Sequence, residues 1–179
     1  YIEQEIVWAY NFGQCTFDKF IETHCRSIVV RKPGVNRKWN VEGVLTPSAR
    51  LRMGDKRTVS SRFGGYVPFG TVWGVSTNDD QLVQEPLQPV VGWGRIQGNN
   101  RERRSDHPNQ LPERYLTRCV AGYSFENDLV YDPFGGSGTT AVACQRLNRN
   151  CVTTEISSEY CKSINERLND DRRYSERSD

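Results

Sequence analysis

The stretch that most constrains the fold is "LVYDPFGGSGTTAVACQRLNRNCVTTEI", Leu129 to Ile156. An apolar run ends at Asp132, glycines follow at 135, 136 and 138, a helix-forming segment comes next, and a second apolar run closes on Glu155. Strand, bare turn, helix and strand in this order predict a βαβ unit with a parallel sheet and a right-handed crossover. "GSGTTA", Gly136 to Ala141, satisfies G-x-G-x-x-A, and Glu155 stands 19 positions after Gly136. Small residues let a ligand touch the backbone, and a strand-end carboxylate accepts hydrogen bonds from ribose hydroxyls. The plainer alternative is a tight turn without a ligand, but three glycines and a spaced acid exceed what a turn needs. No Gly-Lys-Ser/Thr follows, which excludes a P-loop. A dinucleotide stays open, although its full fold needs several more strands and only about two dozen residues follow Glu155.

Around this unit the pattern is uneven. "HPNQLPERYLTRCVAGYS" predicts a helix from about Pro112 to Gly122, with Tyr115, Leu116, Cys119 and Val120 at spacings of three and four. "SSEYCKSINERLNDDRR" predicts a last helix capped by Ser157 or Ser158, with Tyr160, Ile164 and Leu168 on one face. At the other end, "YIEQEIVWAYNF" and "SIVVRK" (Ser27 to Lys32) read as strands able to pair antiparallel, before Pro33-Gly34 breaks the pattern. From Gly34 to about Asn100 no sustained period appears, so three segments are expected: antiparallel strands over 1–33, a loop-rich region over 34–100, and the glycine-loop half over 101–179.

Charge is concentrated too. Arg31, Lys32, Arg37, Lys38, Arg50, Arg52, Lys56, Arg57 and Arg62 face only Glu42 and Asp55 in the same stretch, although the net charge of the whole chain is +2. With Trp39, Phe63 and Tyr66 nearby, such a segment suits a polyphosphate partner, because neutralised phosphates release counterions; a solvated loop surface is the alternative. Six cysteines form no CxxC pair and read as buried free thiols in a reducing compartment rather than as metal ligands or disulfides. No run approaches the roughly 18 to 20 apolar residues of a membrane span and no signal peptide is evident, so a soluble cytoplasmic protein is expected.

The residues "VYDPFGGSGTTAVACQRLNRNCVTTEISSEYCKSINERL" closely resemble the S-adenosylmethionine-binding block of DNA amino-methyltransferases, which methylate adenine N6 or cytosine N4. The arrangement resembles the permuted type, with catalytic half first, target recognition in the middle and cofactor half last. "EIVWAYNFG" and "THCRSIVVRKPG" resemble the late strands of the catalytic half, and "GRIQGNNRERRSDHPNQLPERYL" the link into the cofactor half. The resemblance implies an α/β fold: a partial Rossmann-like methyltransferase sheet with a loop-rich target-recognition insertion. It implies S-adenosylmethionine as cofactor and double-stranded DNA as partner. Asp132, Pro133, Phe134, Gly136, Ser137, Gly138 and Thr139 would surround the cofactor's methionine end, Glu155 its ribose and Ile156 its adenine. His107 to Pro112, including Asn109 and Gln110, would approach its amino-acid end; Leu111 stands where the family usually has Lys. Arg31, Lys32, Arg37, Lys38, Arg50, Arg52, Lys56 and Arg57, together with "RERR" (Arg101 to Arg104), would contact DNA phosphates.

The family's catalytic tetrapeptide, Asp, Asn or Ser before Pro-Pro and an aromatic, is missing: no proline of the chain is followed by another. In the permuted order it belongs upstream of "EIVWAYNFG". The expectation is therefore the C-terminal portion of a longer enzyme, inactive alone, with uncovered strand edges and an association to cover them: a homodimer, or a chain supplying the catalytic motif. A non-catalytic remnant or DNA-binding subunit is one alternative, and a dinucleotide-dependent oxidoreductase fragment is another.

Overall fold

The computed structural model describes residues 1–10, 18, 23–73, 96, 100, 102–104 and 107–175. The chain forms two compact units, one from Tyr1–Arg37 and Val44–Gly94, the other from Lys38–Gly43 and Arg95–Asp179.

In the first unit, β1 (Ile2–Ala9) pairs antiparallel with β2 (His24–Val30), with Ile6 opposite Ser27 and Ala9 opposite His24. Ile6 and Trp8, two residues apart, point to the same face and are buried, as the period of a half-buried strand requires. β2 begins three residues ahead of the strand expected at Ser27, and its Ile28 and Val30 are exposed. The region that shows no periodicity contains short elements: β3 (Leu45–Pro47), α1 (Ala49–Arg52), β4 (Tyr66–Pro68) and β5 (Val72–Trp73). β3 and β4 pair antiparallel, while β5 runs parallel to β1. Ser48 caps α1 by accepting from the Leu51 N–H at 3.2 Å, and Asp55 opens a 3-10 turn by accepting from the Arg57 N–H at 3.1 Å.

The second unit holds α2 (Glu113–Tyr123), β6 (Leu129–Asp132), α3 (Thr139–Arg146), β7 (Asn150–Thr153) and α4 (Ser158–Ser175). β6 and β7 are parallel and in register from Leu129–Asn150 to Asp132–Thr153, the strand–helix–strand order expected of a Rossmann-like half. The core joins Val120 of α2, Ala143 and Cys144 of α3, and Val130 and Cys151 of the strands. Pro112 stands just outside α2 as its cap residue rather than as its first turn. Ser157 is the residue that caps α4, its hydroxyl accepting from the Tyr160 N–H at 3.3 Å, and Ile164 is buried on the helix's inner face.

Lys38–Gly43 clasps this unit. The Asn40 N–H donates to the Gly122 carbonyl at 2.8 Å, its side-chain amide to the Ser124 carbonyl at 3.4 Å, and Lys38 pairs with Asp128 at 2.6 Å. The opposite face of the β6–β7 pair is bare: Leu129 is 67%, Tyr131 60% and Val152 48% exposed. Parallel sheets ordinarily have both faces covered.

Candidate functional site

The carboxyl ends of β6 and β7 are stitched together before the glycine loop begins. Asp132 accepts from the Phe134 N–H at 3.0 Å, the Thr154 hydroxyl donates to the Pro133 carbonyl at 2.8 Å, and the Gly135 N–H donates to the Thr154 carbonyl at 2.9 Å. Gly135 must lack a side chain, since a Cβ there would lie 2.5 Å from the Thr153 hydroxyl. At Gly136 the chain turns through φ +51°, a left-handed conformation that favours glycine, and a Cβ would meet His107 Nε2 at 2.9 Å.

Glu155 locks the loop from the second strand. One carboxylate oxygen accepts from the Gly136 N–H at 2.7 Å and the other from the Ser157 N–H at 2.9 Å. These backbone donors, Ser157 first and then Gly136, outweigh desolvation and hold the Glu155 carboxyl below the usual carboxylate range. A carboxylate has about four lone-pair sites, so two protein donors leave capacity for a ligand's hydroxyls.

Above these strand ends lies an open cleft of 280 Å³. Of the residues expected at a cofactor, Asp132, Phe134, Gly136, Ser137, Thr139, Glu155 and Asn109 line it, with His107 beside them. His107 Nδ1 accepts from the Asn109 N–H at 3.3 Å, and its ring packs against Tyr160 with centroids 5.0 Å apart. Pro133, Gly138, Gln110 and Ile156 are not among the lining residues. Gly138, at φ +75°, lies against Ile164. Gln110 is buried, its amide donating to the Glu102 carbonyl at 2.6 Å and accepting from the Arg104 N–H at 2.9 Å, so it shapes the link before α2. Ile156 is fully exposed, and Phe134 is 85% exposed.

A buried cation absent from the sequence reading supports the loop from below. Arg167 of α4, 3% exposed, donates through Nη1 to the Ser137 carbonyl at 2.7 Å and to the Thr139 hydroxyl at 3.2 Å. Its Nη2 donates to Glu113 at 2.7 Å, and Arg146 holds the other Glu113 oxygen at 2.5 Å. Burial raises the Glu113 carboxyl, and the two guanidinium groups, Arg167 foremost, pull it back to a net position below its ordinary value. The available signal is positional: Arg167 falls three residues after Ile164, on the helical face already assigned inward.

The cations expected at DNA divide between the two units. Lys38 belongs to the second unit, paired with Asp128, and the other seven to the first. Arg31 and Arg37 share Glu3, Arg57 pairs with Asp55 at 2.8 Å, and Arg52 donates to the Pro47 carbonyl at 3.0 and 3.2 Å. Lys32, Arg50 and Lys56 are exposed and in no ion pair among the described residues. In "RERR", Arg101 lies outside the described residues, and Glu102 accepts from the Glu113 N–H at 2.9 Å, a structural tie to α2.

Five cysteines are described, all as free thiols; Cys144 is buried but Cys25 is exposed, and Cys15 lies outside the described residues. No group of side chains suited to a metal ion occurs among the described residues, and none of the described helices is long and apolar enough to cross a membrane.

The profile of the N6/N4 methyltransferase family, described as DNA methylase, matches residues 1–166. The chain belongs to this family. Among curated relatives of the chain, the orphan methyltransferase M.BamHII of Bacillus amyloliquefaciens is 48% identical over 62 residues, 35% of this chain and 23% of that protein. The type II methyltransferase M.HpaI of Haemophilus parainfluenzae is 42% identical over 67 residues, 37% of this chain and 21% of that one. The aligned stretches thus make up less than a quarter of either relative. The crystal structure of TTHA0409 from Thermus thermophilus matches the fold with a TM-score of 0.51 at 20% identity, over 93% of this chain and 55% of that one.

Proposed function

We propose that this methylase chain binds S-adenosylmethionine in the cleft at the ends of β6 and β7 and contacts double-stranded DNA through its exposed cations. In this reading it serves, in the cytoplasm, an enzyme that methylates an exocyclic amine, adenine N6 or cytosine N4. Glu155 carries the reading: an ionised carboxylate with spare lone pairs, fixed at the end of the second strand beside a bare loop, suits a ribose diol. The rest of the site fits the same group. Ile156 offers exposed apolar surface for an adenine, Phe134 lines the cleft for the methionine end, and His107 and Asn109 line it for the amino-acid moiety.

When bound, the sulfonium supplies an electrophilic methyl group. This chain's residues then bind and orient, because placement of the reacting atoms about 3 to 3.5 Å apart is most of what they can contribute. Activation of the amine falls to the Pro-Pro tetrapeptide, which residues 1–179 do not contain. The reading therefore includes association with a segment that supplies it. The bare face at Leu129 and Tyr131 supports such an association, as does a largely apolar 360 Å³ cavity between α2 and β6 that meets the cleft at Leu116 and Thr140. The alternative reading is a subunit that binds DNA or a partner without chemistry.

Titration calorimetry separates the readings. Residues 1–179 are expected to bind S-adenosylmethionine and S-adenosylhomocysteine but not NAD, and to transfer no labelled methyl group to DNA unaided. Binding of NAD alone would overturn the cofactor assignment; retained DNA affinity with no nucleoside bound would favour the second reading.

A further inference from the structure

We propose that Glu113 and Arg167 are positioning residues for the cofactor loop, a buried ion pair that sets the peptide geometry of Ser137 to Thr139 rather than only holding helices together. The inference rests on the cofactor reading of the cleft. Its basis is where the guanidinium is spent. Nη1 takes the Ser137 carbonyl, and the same peptide group's N–H, on Gly138, donates to the Gly135 carbonyl at 2.8 Å. A peptide group is planar, so fixing both ends fixes its orientation. The Thr139 hydroxyl that Arg167 also reaches lies 3.0 Å from the Ser137 hydroxyl, and both side chains belong to cleft-lining residues.

Glu113 decides where the guanidinium sits. It opens α2, receives Arg167 on one oxygen and Arg146 of α3 on the other, and its own N–H is held by Glu102. Four separate parts of the second unit therefore converge under the turn between β6 and α3. Helix cohesion alone does not call for a charge here. Buried ion pairs contribute little net stability compared with well-packed apolar replacements, while leaving one partner alone is strongly destabilising. What an apolar replacement cannot reproduce is the hydrogen bond to the Ser137 carbonyl.

That difference gives the test. Stability and S-adenosylhomocysteine affinity are measured for residues 1–179 as wild type, Arg167→Met, the double variant Glu113→Leu/Arg167→Met, and Arg167→Lys. The single Arg167→Met variant is expected to melt lower. The double variant is expected to recover most of that loss yet bind at least about tenfold more weakly than wild type, and Arg167→Lys to melt near wild type and bind severalfold more weakly. Amide exchange at Gly138 in the ligand-free chain is expected to quicken in both. Wild-type affinity in the double variant, or in Arg167→Lys if the double variant does not fold, would reduce the pair to scaffolding and overturn the proposal. A wild-type chain that binds no S-adenosylhomocysteine would instead sink the cofactor reading, and the proposal with it.

Discussion

The two units use backbone polarity in opposite ways. In the first, hydrogen bonds run along an antiparallel ladder between β1 and β2, and the exposed side chains are left to face outward. In the second, the strands are only four residues long, and much of the bonding is concentrated beyond their ends, where Glu155, Thr154, Asp132 and Arg167 hold one turn. A ladder makes a surface, whereas a turn held from several sides makes a site. In the proposed reading small-molecule recognition belongs to the second unit, and most of the candidate cations belong to the first.

The sharpest way to break that assignment is Gly135→Val. The new side chain starts 2.5 Å from the Thr153 hydroxyl and 3.1 Å from Ile164. It should cost about 1–3 kcal/mol of stability, seen as a lower melting temperature, and abolish nucleoside binding by calorimetry. Glu155→Ala comes next: loss of its ribose hydrogen bonds should weaken S-adenosylhomocysteine by about 1–3 kcal/mol, and unchanged affinity would remove the residue from the site. Neither change should alter DNA binding.

For the first unit, the triple variant Lys32→Ala/Arg50→Ala/Lys56→Ala should lower the slope of log affinity for duplex DNA against log salt by about 3, since each phosphate contact contributes about 0.9. Replacing the paired Arg57 alone should change the slope by less than one of these. Equal effects from paired and unpaired cations would erase the distinction. The smallest effect concerns pH. Because the Glu155 carboxyl is held below its ordinary value, its bonds are fully present above the unfolded range, about 4.3, and are lost only as pH falls through the lower folded value. Nucleoside affinity should therefore owe no change to this group between pH 8 and about pH 5, a flat line that a titration series would confirm or bend.

Much of the second unit was legible because its signals are local. The βαβ order, the inward faces of α2 and α4 and the place of Glu155 follow from spacing within short windows. In the first unit, Ile6 and Trp8 announce β1 by alternation, but β3, β4 and β5 have two or three residues each, too few for a period to register. Long-range partnerships were out of reach for the same reason. Arg167 meets Ser137 across 30 positions and Glu113 across 54, and Lys38 meets Asp128 across 90. Local charge counting saw nine cations and two acids; the partners Glu3 and Asp128 lie outside that window and come to it only through folding. Gln110, grouped with the ligand by resemblance, bonds neighbouring backbone through its amide, a partnership that the motif's spacing does not announce.

The hexapeptide between Arg37 and Val44 has a practical consequence for dissecting the molecule. Because the polypeptide passes into the second unit, out and back again, no single cut liberates either unit whole. A C-terminal truncate starting at Arg95 would look like a tidy minimal domain in a cloning plan, yet it would uncap Gly122 and Ser124 and strand Asp128 without its lysine. A minimal cofactor-binding protein made from this sequence has to carry residues 38–43 along, by fusion or as an added peptide.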